Sequence, residues 1–585
     1  MGAKLSEQSA GYAVRFESEI VIPMRDGTVT YADIVRPDAP GQFAALLTRT
    51  PYDRTTSANI SAPIHALQAA RKGWAVVIQD VRGRFASEGE FQPFHQEIAD
   101  GYDSVEWVGA QEWCSGKVGM YGISYGGATQ WLAALAQPPS LAALAPGYTA
   151  MDYHEGWAWQ GGAFELGFNL SWATGGLTHG MWATLAQKHG LSAEDEDNYL
   201  AIKDNQDAAF TRMPLTNQPH LEGLADYYGE WLAHPEYDEY WKKVCIEDRL
   251  SEIDLPTLNY GGWYDVFMSG TILGYEGMRR EAPSRAVRDA QRLLIGPWVH
   301  VRNCPGNVGG YDFGTRAGAY HLGLESRLLG FFDQHLRGGP VPDDKPVEVF
   351  AMGENRWRTY DQWPPPGAVE KKLYMHSEGK AATCLDCGTL SFDAPGAEPA
   401  DAYVYNPADP TPTVGGGLCC DPVWMKWGPY DQREVEKRPD VLVFSSLPLE
   451  ADLEITGWVR ARLFASTTAV DTDFTAKLVD VAPVGDARNL TDGILRARYR
   501  AGRGPAQPVT PGEVIEYDID MWATSNVFKA GHRIRLEISS SNFPRFDRNP
   551  NTGGDMATET EMIPALQTIY HDTNRPSHLT ISVIE

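Results

Sequence analysis

The amino-acid sequence predicts an α/β domain with a mostly parallel sheet, a helical cap inserted into that domain, and an all-β domain after it. Apolar runs that end in polar loops alternate with helical segments in residues 1–149 and again in residues 246–340. Residues 150–245 are aromatic-rich, acidic and helical in pattern, whereas residues 341–585 carry alternating strands. A chain of 585 residues is longer than a single hydrophobic core usually supports, so we divide it into domains at these boundaries.

The strands and helices of the α/β domain follow one another in a regular order. Asp26-Gly27 joins two strand-like segments as a hairpin turn. The short apolar runs of buried strands occur in AALLTRTP, WAVVIQD and KVGMYG, and helical spacing occurs in EIADGYDSVEWVGAQ and GGATQWLAALAQ. The strands PTLNYGGWYD and QRLLIGPWVH come after the insertion, and a last helix ends at Gly338-Gly339-Pro340. Strands that alternate with helices predict a mostly parallel sheet with helices on its faces.

Three segments of the C-terminal domain alternate apolar and charged residues with a period of two. They are WVRARLF from Trp458, LRARYR from Leu495 and RIRLEI from Arg533. Each predicts a strand with one buried face and with its charged residues on the other face. Many such strands without helices predict a sandwich or a jelly roll.

The charge balance limits the partners that we expect. With 50 Lys and Arg against 77 Asp and Glu, the formal net charge is −27, which disfavours nucleic acid or an anionic membrane. The N-terminal residues lack the apolar core of a secretory signal, so we expect a cytoplasmic protein. A homo-oligomer is compatible with the sequence, which does not determine the oligomeric state.

The seven cysteines are too few for a disulfide framework, and their odd number leaves at least one thiol free. Cys384 and Cys387 form a C-x-x-C pair, and Cys419 and Cys420 are adjacent. Four thiols could hold zinc, although two adjacent ligands would make an unusual second pair. We expect neither a metal nor a cofactor, and the sequence leaves open whether these four cysteines pair with one another.

Ser124 is the candidate nucleophile. It lies in a G-x-S-x-G motif between Gly122 and Gly126, after the strand KVGMYG and before the helix GGATQWLAALAQ. The motif alone is weak, but a preceding strand and a following helix are its diagnostic context, because the glycines allow the tight turn that exposes the serine. A structural turn in a glycine-rich loop is the alternative.

Asp265 and His300 are the candidate acid and base. A serine hydroxyl needs a base to remove its proton, and the base needs an acid to orient it. Each of the two residues ends an apolar strand after the insertion, and together with Ser124 they follow the order Ser, Asp, His.

The oxyanion of the tetrahedral intermediate needs two hydrogen-bond donors. The backbone N–H of Tyr125, the residue after the nucleophile, is one donor by geometry. The second should come from an early loop after a strand, where RTPYDR offers the phenol of Tyr52. Packing is the alternative role of Tyr52.

The motifs together resemble one family. RTPYDR, QDVRGRFASEGEF, DGYDSVEW, GMYGISYGG, GGWYD and GPWVH occur in this order, and TVGGG follows at Thr413. The combination resembles the α/β-hydrolases that include cocaine esterase, α-amino acid ester hydrolases and the S15-type X-Pro dipeptidyl-peptidases (CocE/NonD-like hydrolases), from about residue 15 to the C-terminus. The resemblance implies an α/β-hydrolase domain with a helical cap and a C-terminal jelly-roll domain, all three bordering the active site. It also implies the roles already given to Ser124, Asp265, His300, Tyr52 and Tyr125.

Departures from the family pattern narrow the expected substrate. Family members that cleave α-amino acid esters hold the ammonium group with carboxylates near the catalytic acid, where this sequence has the apolar Val266-Phe267-Met268. The X-Pro peptidases have a longer chain with an extra N-terminal domain, which we do not expect here, and this favours an esterase. The candidates for an apolar acyl pocket are Trp157, Trp159, Phe164, Phe168, Trp172 and Phe267. Core packing would explain the cap aromatics equally well.

We therefore expect a serine hydrolase that cleaves a small carboxylic ester, or an amide, of a neutral acyl compound through an acyl-enzyme. The first alternative is an acylase, an acyltransferase or a dipeptidyl-peptidase-like amide hydrolase with the same triad. The second alternative is a non-catalytic protein whose β domain binds a ligand, which the complete triad disfavours.

Overall fold

The computed structural model describes residues 11–301, 304–420 and 423–585. A ten-stranded sheet forms the first part of the molecule. Its strands are β1 (Val14–Pro23), β2 (Val29–Pro37), β3 (Phe43–Thr50), β4 (Ala75–Asp80), β5 (Cys114–Ile123), β6 (Leu141–Gly147), β7 (Leu258–Tyr264), β8 (Arg292–Val299), β9 (Val347–Ala351) and β10 (Arg356–Tyr360).

The order of the strands in this sheet is β1-β2-β4-β3-β5-β6-β7-β8-β9-β10. From β4 through β9 neighbouring strands are parallel, and β1, β2 and β10 are joined by antiparallel pairing. The carboxyl ends of β3, β5, β7 and β8 therefore meet at one edge, where an open parallel sheet places its ligands. The boundary at residue 340 stays a prediction, but the first sheet does not end there, because β9 and β10 extend it beyond that residue.

The helices surround this sheet and build the insertion. They are α1 (Ser57–Ser61), α2 (Ala66–Arg71), α3 (Glu97–Gly109), α4 (Tyr125–Leu135), α5 (Leu166–Ser171), α6 (Trp182–His189), α7 (Ala193–Lys203), α8 (Asp207–Phe210), α9 (Asp226–Ala233), α10 (Glu239–Lys242), α11 (Met268–Glu281), α12 (Arg285–Asp289), α13 (Ala319–Leu322) and α14 (Leu324–Phe332). Helices α5 to α10 lie between β6 and β7, and a π-helical stretch, Trp172–Thr178, continues α5. Every residue of α4 is buried, so the helix that directly follows Ser124 is held by packing on all sides.

A second sheet of twelve strands forms the C-terminal part. Its strands are β11 (Ala368–Ser377), β12 (Gly388–Ser391), β13 (Asp401–Tyr405), β14 (Leu442–Ser445), β15 (Leu453–Thr467), β16 (Asp473–Val481), β17 (Ala487–Arg496), β18 (Ile515–Phe528), β19 (Arg533–Ser539), β20 (Ala565–Asp572), β21 (Arg575–Pro576) and β22 (His578–Ile584). The order is β13-β20-β15-β22-β11-β12-β14-β19-β16-β17, with β18 on β15 and β21 on β20. All of these pairs are antiparallel except β12 with β14.

The alternation in WVRARLF is confirmed. Val459, Ala461 and Leu463 are buried, whereas the arginines between them, Arg460 and Arg462, keep 47% and 40% of their side-chain surface exposed. This part of β15 therefore has one face in the core and one face toward solvent.

The same prediction is wrong for LRARYR. Strand β17 ends at Arg496, and Ala497–Tyr499 is a 3-10 turn. Arg496 is fully buried between two carboxylates, Asp473 and Asp547, each 2.9 Å away. Periodicity alone placed this arginine on the solvent side because it cannot show that acidic partners from distant segments neutralise a buried charge.

The prediction of one polar face is also wrong for RIRLEI. Strand β19 lies between β14 and β16, and two of its charged residues, Arg535 and Glu537, are buried like its apolar ones. Arg535 pairs with Glu436 at 2.6 Å, and Glu537 pairs with Lys477 at 3.3 Å. Both faces of this central strand are covered, so its alternation marks ion pairs rather than exposure.

The four cysteines left open by the sequence form two disulfides, Cys384–Cys387 and Cys419–Cys420. Three further cysteines, Cys114, Cys245 and Cys304, are free and buried. Within the described ranges, no group of three or more His, Cys, Asp or Glu residues could hold a metal ion. No helix among those residues is both long enough and apolar enough to cross a membrane.

The β domain shares its core with the rest of the molecule. Leu418, Cys419 and Met425 belong to the same cluster of buried residues as Trp157 of the insertion and Phe267 of the α/β domain. The apolar contacts of three parts of the chain therefore converge beside the carboxyl edge of the first sheet.

Candidate active site

Ser124 lies in the turn between β5 and α4. Its backbone, with φ 60° and ψ −126°, is in a conformation that L-residues seldom adopt. The Ser124 N–H donates to the Gly147 carbonyl at 2.9 Å, and the Ser124 carbonyl accepts from the Gly127 and Ala128 amides at 2.8 and 3.0 Å. These bonds hold the strained turn at the sheet edge. The N–H of Tyr125, in the first turn of α4, has no acceptor within the helix and is available to a ligand.

Two glycines permit this turn. A Cβ on Gly122, which has φ +141°, would lie 3.0 Å from the Gly126 carbonyl oxygen. A Cβ on Gly127 would lie 2.8 Å from Thr149 Cβ and 2.9 Å from the Gly147 carbonyl oxygen. The nearest atom to a Cβ on Gly126 would be 3.5 Å away, an ordinary contact. A side chain would therefore be too close to its neighbours at Gly122 and Gly127, whereas the G-x-S-x-G motif indicated Gly122 and Gly126.

Asp265 and His300 meet just beyond the ends of the neighbouring strands β7 and β8. The Nδ1 atom of His300 lies 2.9 Å from Asp265 Oδ1, and the same oxygen accepts the Phe267 N–H at 2.9 Å. The Asp265 side chain is fully buried, and 7% of the His300 side chain is exposed. An imidazole that donates from Nδ1 to a buried carboxylate presents Nε2 as a base.

Two aromatic rings pack against the imidazole of His300. The ring centroids of Tyr148 and Phe267 lie 5.9 and 5.3 Å from it, both in an edge-to-face arrangement. Tyr148 directly follows Gly147, whose carbonyl accepts the Ser124 N–H. The histidine and the serine turn are thus held by the same short segment after β6.

Tyr52 lies in the loop after β3, beside the serine turn. It lines a small space of about 10 Å³ together with Gly122, Ile123 and Gly126. The indole N–H of Trp172 donates to the Tyr52 phenol oxygen at 2.9 Å, so this bond does not use the phenol hydrogen. The Trp172 ring in turn stacks on the Tyr125 ring at 6.1 Å. The two predicted oxyanion donors therefore belong to one packed group.

Arg84 holds the Tyr52 loop, and the sequence reasoning did not single it out. Its Nε donates to the Pro51 carbonyl and its Nη2 donates to the Leu177 carbonyl, both at 2.9 Å. Burial is the largest influence on this guanidinium and lowers the pKa of Arg84 to about 10. Because both acceptors are backbone carbonyls of distant segments, no pattern of charged residues could have indicated this role.

The ring of Tyr125 is an anchor within the core. Its hydroxyl donates to Glu97 Oε1 at 2.9 Å and accepts the Phe94 N–H at 3.0 Å, while Arg49 pairs with the other oxygen of Glu97 at 2.5 Å. Burial, the largest cause for each group, raises the pKa of Tyr125 and of Glu97. The phenol is thus used within the protein, which leaves the backbone amide as the group of Tyr125 for the predicted oxyanion role.

Four of the six aromatic residues predicted for a pocket form one cluster beside His300. Trp157 stacks on Phe267 at 4.4 Å, and both rings contact Phe168 at 5.4 and 5.2 Å. Trp172 lies 5.6 Å from Trp157. The cluster is buried and reaches the imidazole through Phe267.

The other two predicted residues, Trp159 and Phe164, pack elsewhere. Their rings lie 5.0 Å apart, Trp159 stacks on His154, and Phe164 meets Tyr228. The structure therefore brings together Trp157, Phe168, Trp172 and Phe267, and it places Trp159 and Phe164 in a neighbouring group.

A loop of the β domain reaches the acid. Leu418 forms a parallel bridge with Asp265, and a Cβ on Gly417 would lie 2.9 Å from the Asp265 carbonyl oxygen. This close approach explains a glycine at the end of TVGGG. Cys419, which follows Leu418, is buried in the cluster that contains Phe267, and sequence patterns gave no signal for this contact.

A strained serine between a strand and a helix, with a bonded histidine and aspartate at the same sheet edge, defines a serine hydrolase of the α/β-hydrolase fold with an appended β domain. Residues 26–302 match the model of the X-Pro dipeptidyl-peptidase (S15) family, and residues 341–580 match that of the X-Pro dipeptidyl-peptidase C-terminal non-catalytic domain. The chain belongs to this family, and the resemblance drawn from its motifs is confirmed.

Relatives cover the whole length of the chain. Cocaine esterase of Rhodococcus sp. (strain MB1 Bresler) is 40% identical over 578 residues, which span 97% of this chain and 98% of that protein. The crystal structure of an aminopeptidase from a marine sediment archaeon, Thaumarchaeota archaeon, superposes with a TM-score of 0.81 at 27% identity and covers 100% of this chain and 99% of its own. An α-amino acid ester hydrolase superposes with a TM-score of 0.80 at 27% identity, covering 98% of this chain and 97% of its own.

Proposed function

We propose that this serine hydrolase cleaves carboxylic esters of small, neutral acyl compounds, with Ser124, His300 and Asp265 as its triad. The observation that carries the proposal is the 2.9 Å bond from His300 to the buried Asp265, formed at the edge where Ser124 occupies its strained turn. A cocaine esterase that is 40% identical over nearly the whole chain supports ester hydrolysis.

The proposed reaction has two stages. Ser124 Oγ attacks the carbonyl carbon while His300 Nε2 takes its proton, and the proton then passes to the leaving alcohol as the acyl-enzyme forms. Water, deprotonated by His300, releases the acid and restores the serine. Asp265 holds the imidazole in the tautomer that the first step needs and stabilises the imidazolium.

The proposed oxyanion hole combines the Tyr125 amide with the Tyr52 phenol. The amide lies in the first turn of α4, where backbone N–H groups favour developing negative charge. The phenol oxygen is held by the Trp172 indole, and its loop is held by Arg84. Both donors are thus fixed before substrate binds, which is the condition for stabilising a transition state without reorganisation.

The surroundings of the acid support a neutral acyl group. Val266, Phe267 and Met268 are all buried and apolar, so they offer no carboxylate to a substrate ammonium. Trp157, Phe168, Trp172 and Phe267 supply aromatic surface beside the histidine, and we assign them to the acyl pocket. Trp159 and Phe164, predicted with them, would act by packing behind this surface.

A second candidate keeps the acyl-enzyme but changes the bond or the acceptor. The aminopeptidase with a TM-score of 0.81 favours amide hydrolysis as this alternative. Hydrolysis of matched p-nitrophenyl ester and p-nitroanilide substrates separates ester from amide preference, and added amines or alcohols reveal acyl transfer as a second product.

Four finer assignments are part of the proposal. The largely antiparallel β domain is taken to be a jelly roll. The catalytic domain is taken to comprise residues 1–149 and 246–340, the cap residues 150–245, and the β domain residues 341–585. The protein is taken to act in the cytoplasm on small molecules rather than on nucleic acid or a membrane, in keeping with its net charge of −27. A homo-oligomer remains compatible with this picture. Sedimentation velocity tests the oligomeric state.

The decisive experiment uses a fluorophosphonate probe and an aryl ester panel. We expect the probe to label Ser124, identified by peptide mass, and Ser124→Ala to lower kcat by about 10⁴ or more. Unaltered turnover by Ser124→Ala, or labelling of another residue, would contradict the proposed nucleophile.

A further inference from the structure

A cavity of about 260 Å³ lies at the junction of the insertion, helix α11 and the β domain. Gln160 of the insertion, Leu273 of α11 and Trp522 of β18 line three of its sides. Ser124, Asp265, His300 and Tyr52 do not line it, so the cavity is separate from the candidate active site.

The lining of this cavity is strongly acidic. It contains six carboxylates and only two arginines, Arg500 and Arg503. The carboxylates are Asp152, Glu155, Glu236, Glu247, Asp518 and Asp520. Within a concave, partly desolvated space such an excess produces a negative potential that attracts cations.

Two of the six cavity carboxyl groups, Glu155 and Glu236, form no ion pair among the described residues. Asp152 pairs with Arg503 at 2.5 Å, and Asp520 lies 3.2 Å from Arg460. Glu155 accepts the Gly161 N–H at 2.9 Å, and among the described residues it forms no ion pair. Burial is the largest cause that raises the pKa of Glu155 to about 8, as expected for a carboxyl group without a cation.

Asp520 is a second cavity carboxylate with accessible surface. Burial raises the pKa of Asp520, yet 44% of its side-chain surface is accessible. Because Asp520 lines the cavity, this carboxylate is within reach of a ligand bound there.

Two deeply buried polar side chains on the cavity wall each leave one polar atom without a partner among the described residues. The His154 side chain bonds through Nε2 to the Pro235 carbonyl at 3.0 Å, and its Nδ1 has no partner among the described residues. Burial lowers the pKa of His154 to about 4, so the neutral ring donates from Nε2 and offers Nδ1 as an acceptor. Gln160 accepts from Arg545 through Oε1 at 3.1 Å, and its Nε2 is without a partner in the described chain. His154 and Gln160 are 4% and 3% exposed.

Unpartnered buried polar atoms are uncommon and call for an explanation such as a bound ligand. His154 Nδ1 and Gln160 Nε2 are fully buried behind the cavity wall, whereas the cavity carboxyl groups Glu155 and Asp520 keep surface that a ligand can reach. Trp458 and Trp522 add aromatic faces, which attract an organic cation more strongly than a metal ion with its tightly held water.

We propose that this cavity is a second binding site, which takes a small organic amine in its ammonium form. The ammonium group pairs with Asp520 and with Glu155, which releases its proton when the amine binds, and Trp458 and Trp522 contact the apolar part of the ligand. A volume of 260 Å³ holds about nine molecules of liquid water, which corresponds to an amine of about ten non-hydrogen atoms.

Isothermal titration with phenylethanolamine tests the proposal, with neutral phenylethane diol as the matched ligand. The two molecules have the same size and differ in one group, ammonium against hydroxyl. We expect the amine to bind at least tenfold more tightly than the diol, because only the amine compensates Glu155. Equal affinities, or no binding of the amine, would overturn the proposal.

Two variants locate the binding. Glu155→Gln keeps the shape of the side chain and removes the carboxyl group that becomes charged when the amine binds, and we expect it to weaken amine binding at least tenfold. Leu273→Trp leaves every charge in place but fills the cavity, and we expect it to abolish binding. Leu273 and Glu155 line this cavity and not the candidate active site, so binding that is unchanged in both variants would show that the amine sits elsewhere and reject the site. Circular dichroism melting curves verify that each variant is folded.

Discussion

Replacing Tyr52 by phenylalanine removes one hydroxyl group and isolates the second donor of the proposed oxyanion hole. The tetrahedral intermediate carries a negative charge that the substrate carbonyl lacks, so this donor stabilises the transition state far more than the bound substrate. Loss of one such donor costs about 10² to 10³ in kcat, roughly 2.7–4 kcal/mol. We expect kcat to fall by this factor while KM stays within about threefold.

The same substitution also affects stability. It leaves the Trp172 indole N–H without the acceptor that now lies 2.9 Å away. An unsatisfied buried donor costs about 1–3 kcal/mol, so the melting temperature of Tyr52→Phe should fall as well. The kinetic effect therefore has to be measured per folded active site.

Trp172→Phe is the matched control, because it removes the same hydrogen bond and leaves the phenol in place. We expect a similar loss of stability, a change mainly in KM because Trp172 belongs to the aromatic cluster, and less than a tenfold loss of kcat. The assay is hydrolysis of p-nitrophenyl butyrate followed by absorbance, with active sites counted by fluorophosphonate titration. Equal losses of kcat in the two variants, or a Tyr52→Phe rate within tenfold of wild type, would refute the oxyanion role.

Three further predictions concern the acid, the serine turn and the new cavity. Asp265→Asn removes the charge that stabilises protonated His300 and should lower kcat by about 10⁴ at unchanged melting temperature; a loss below tenfold would exclude Asp265 as the acid. Gly127→Ala places a Cβ 2.9 Å from a backbone oxygen and should lower the free energy of unfolding by about 1–3 kcal/mol, with loss of activity. Gly126→Ala, whose Cβ would lie 3.5 Å from its nearest atom, should be tolerated. Thermal melting and kcat of both variants test this, and equal effects would contradict it. Glu155 has a folded pKa of about 8, above its ordinary 4.5, so the native state holds a proton that the unfolded chain releases, and stability falls as pH rises between these values. In Glu155→Gln the drop in melting temperature from about pH 5 to about pH 8 should shrink by roughly 2 °C, and an identical drop would show that this carboxyl group is not perturbed.

The candidate site could be predicted to the extent that it is built from strand ends. Ser124, Asp265 and His300 each follow a short apolar run, and parallel strands bring their carboxyl ends to one edge whatever the intervening chain does. Tyr52 follows β3 for the same reason. Arg84 and Cys419 could not be found in this way, because they reach the site through a backbone carbonyl and a loop contact that depend on how the insertion and the β domain pack.

The pocket residues show the same limit within a single segment. Trp157 and Trp159 are two residues apart and chemically identical, yet Trp157 stacks on Phe267 beside the histidine, whereas Trp159 stacks on His154. The large apolar surface of an aromatic residue favours its burial wherever it lies in the insertion. The neighbour that it is buried against is chosen by the packing of the whole insertion.

Local order and hydrophobic period were enough to specify the α/β rhythm, the helical interruption, the change to strands after Gly338 and the candidate triad residues. These features depend on residues near one another in the chain, where backbone geometry and the period of apolar side chains act directly. Arg496, buried between Asp473 and Asp547, the extension of the first sheet by β9 and β10, and the acidic cavity around Glu155 followed from the folded molecule alone. Each of them depends on charges or strands brought together from distant positions, and the free energy of burying a charge is set by the partner that tertiary packing supplies.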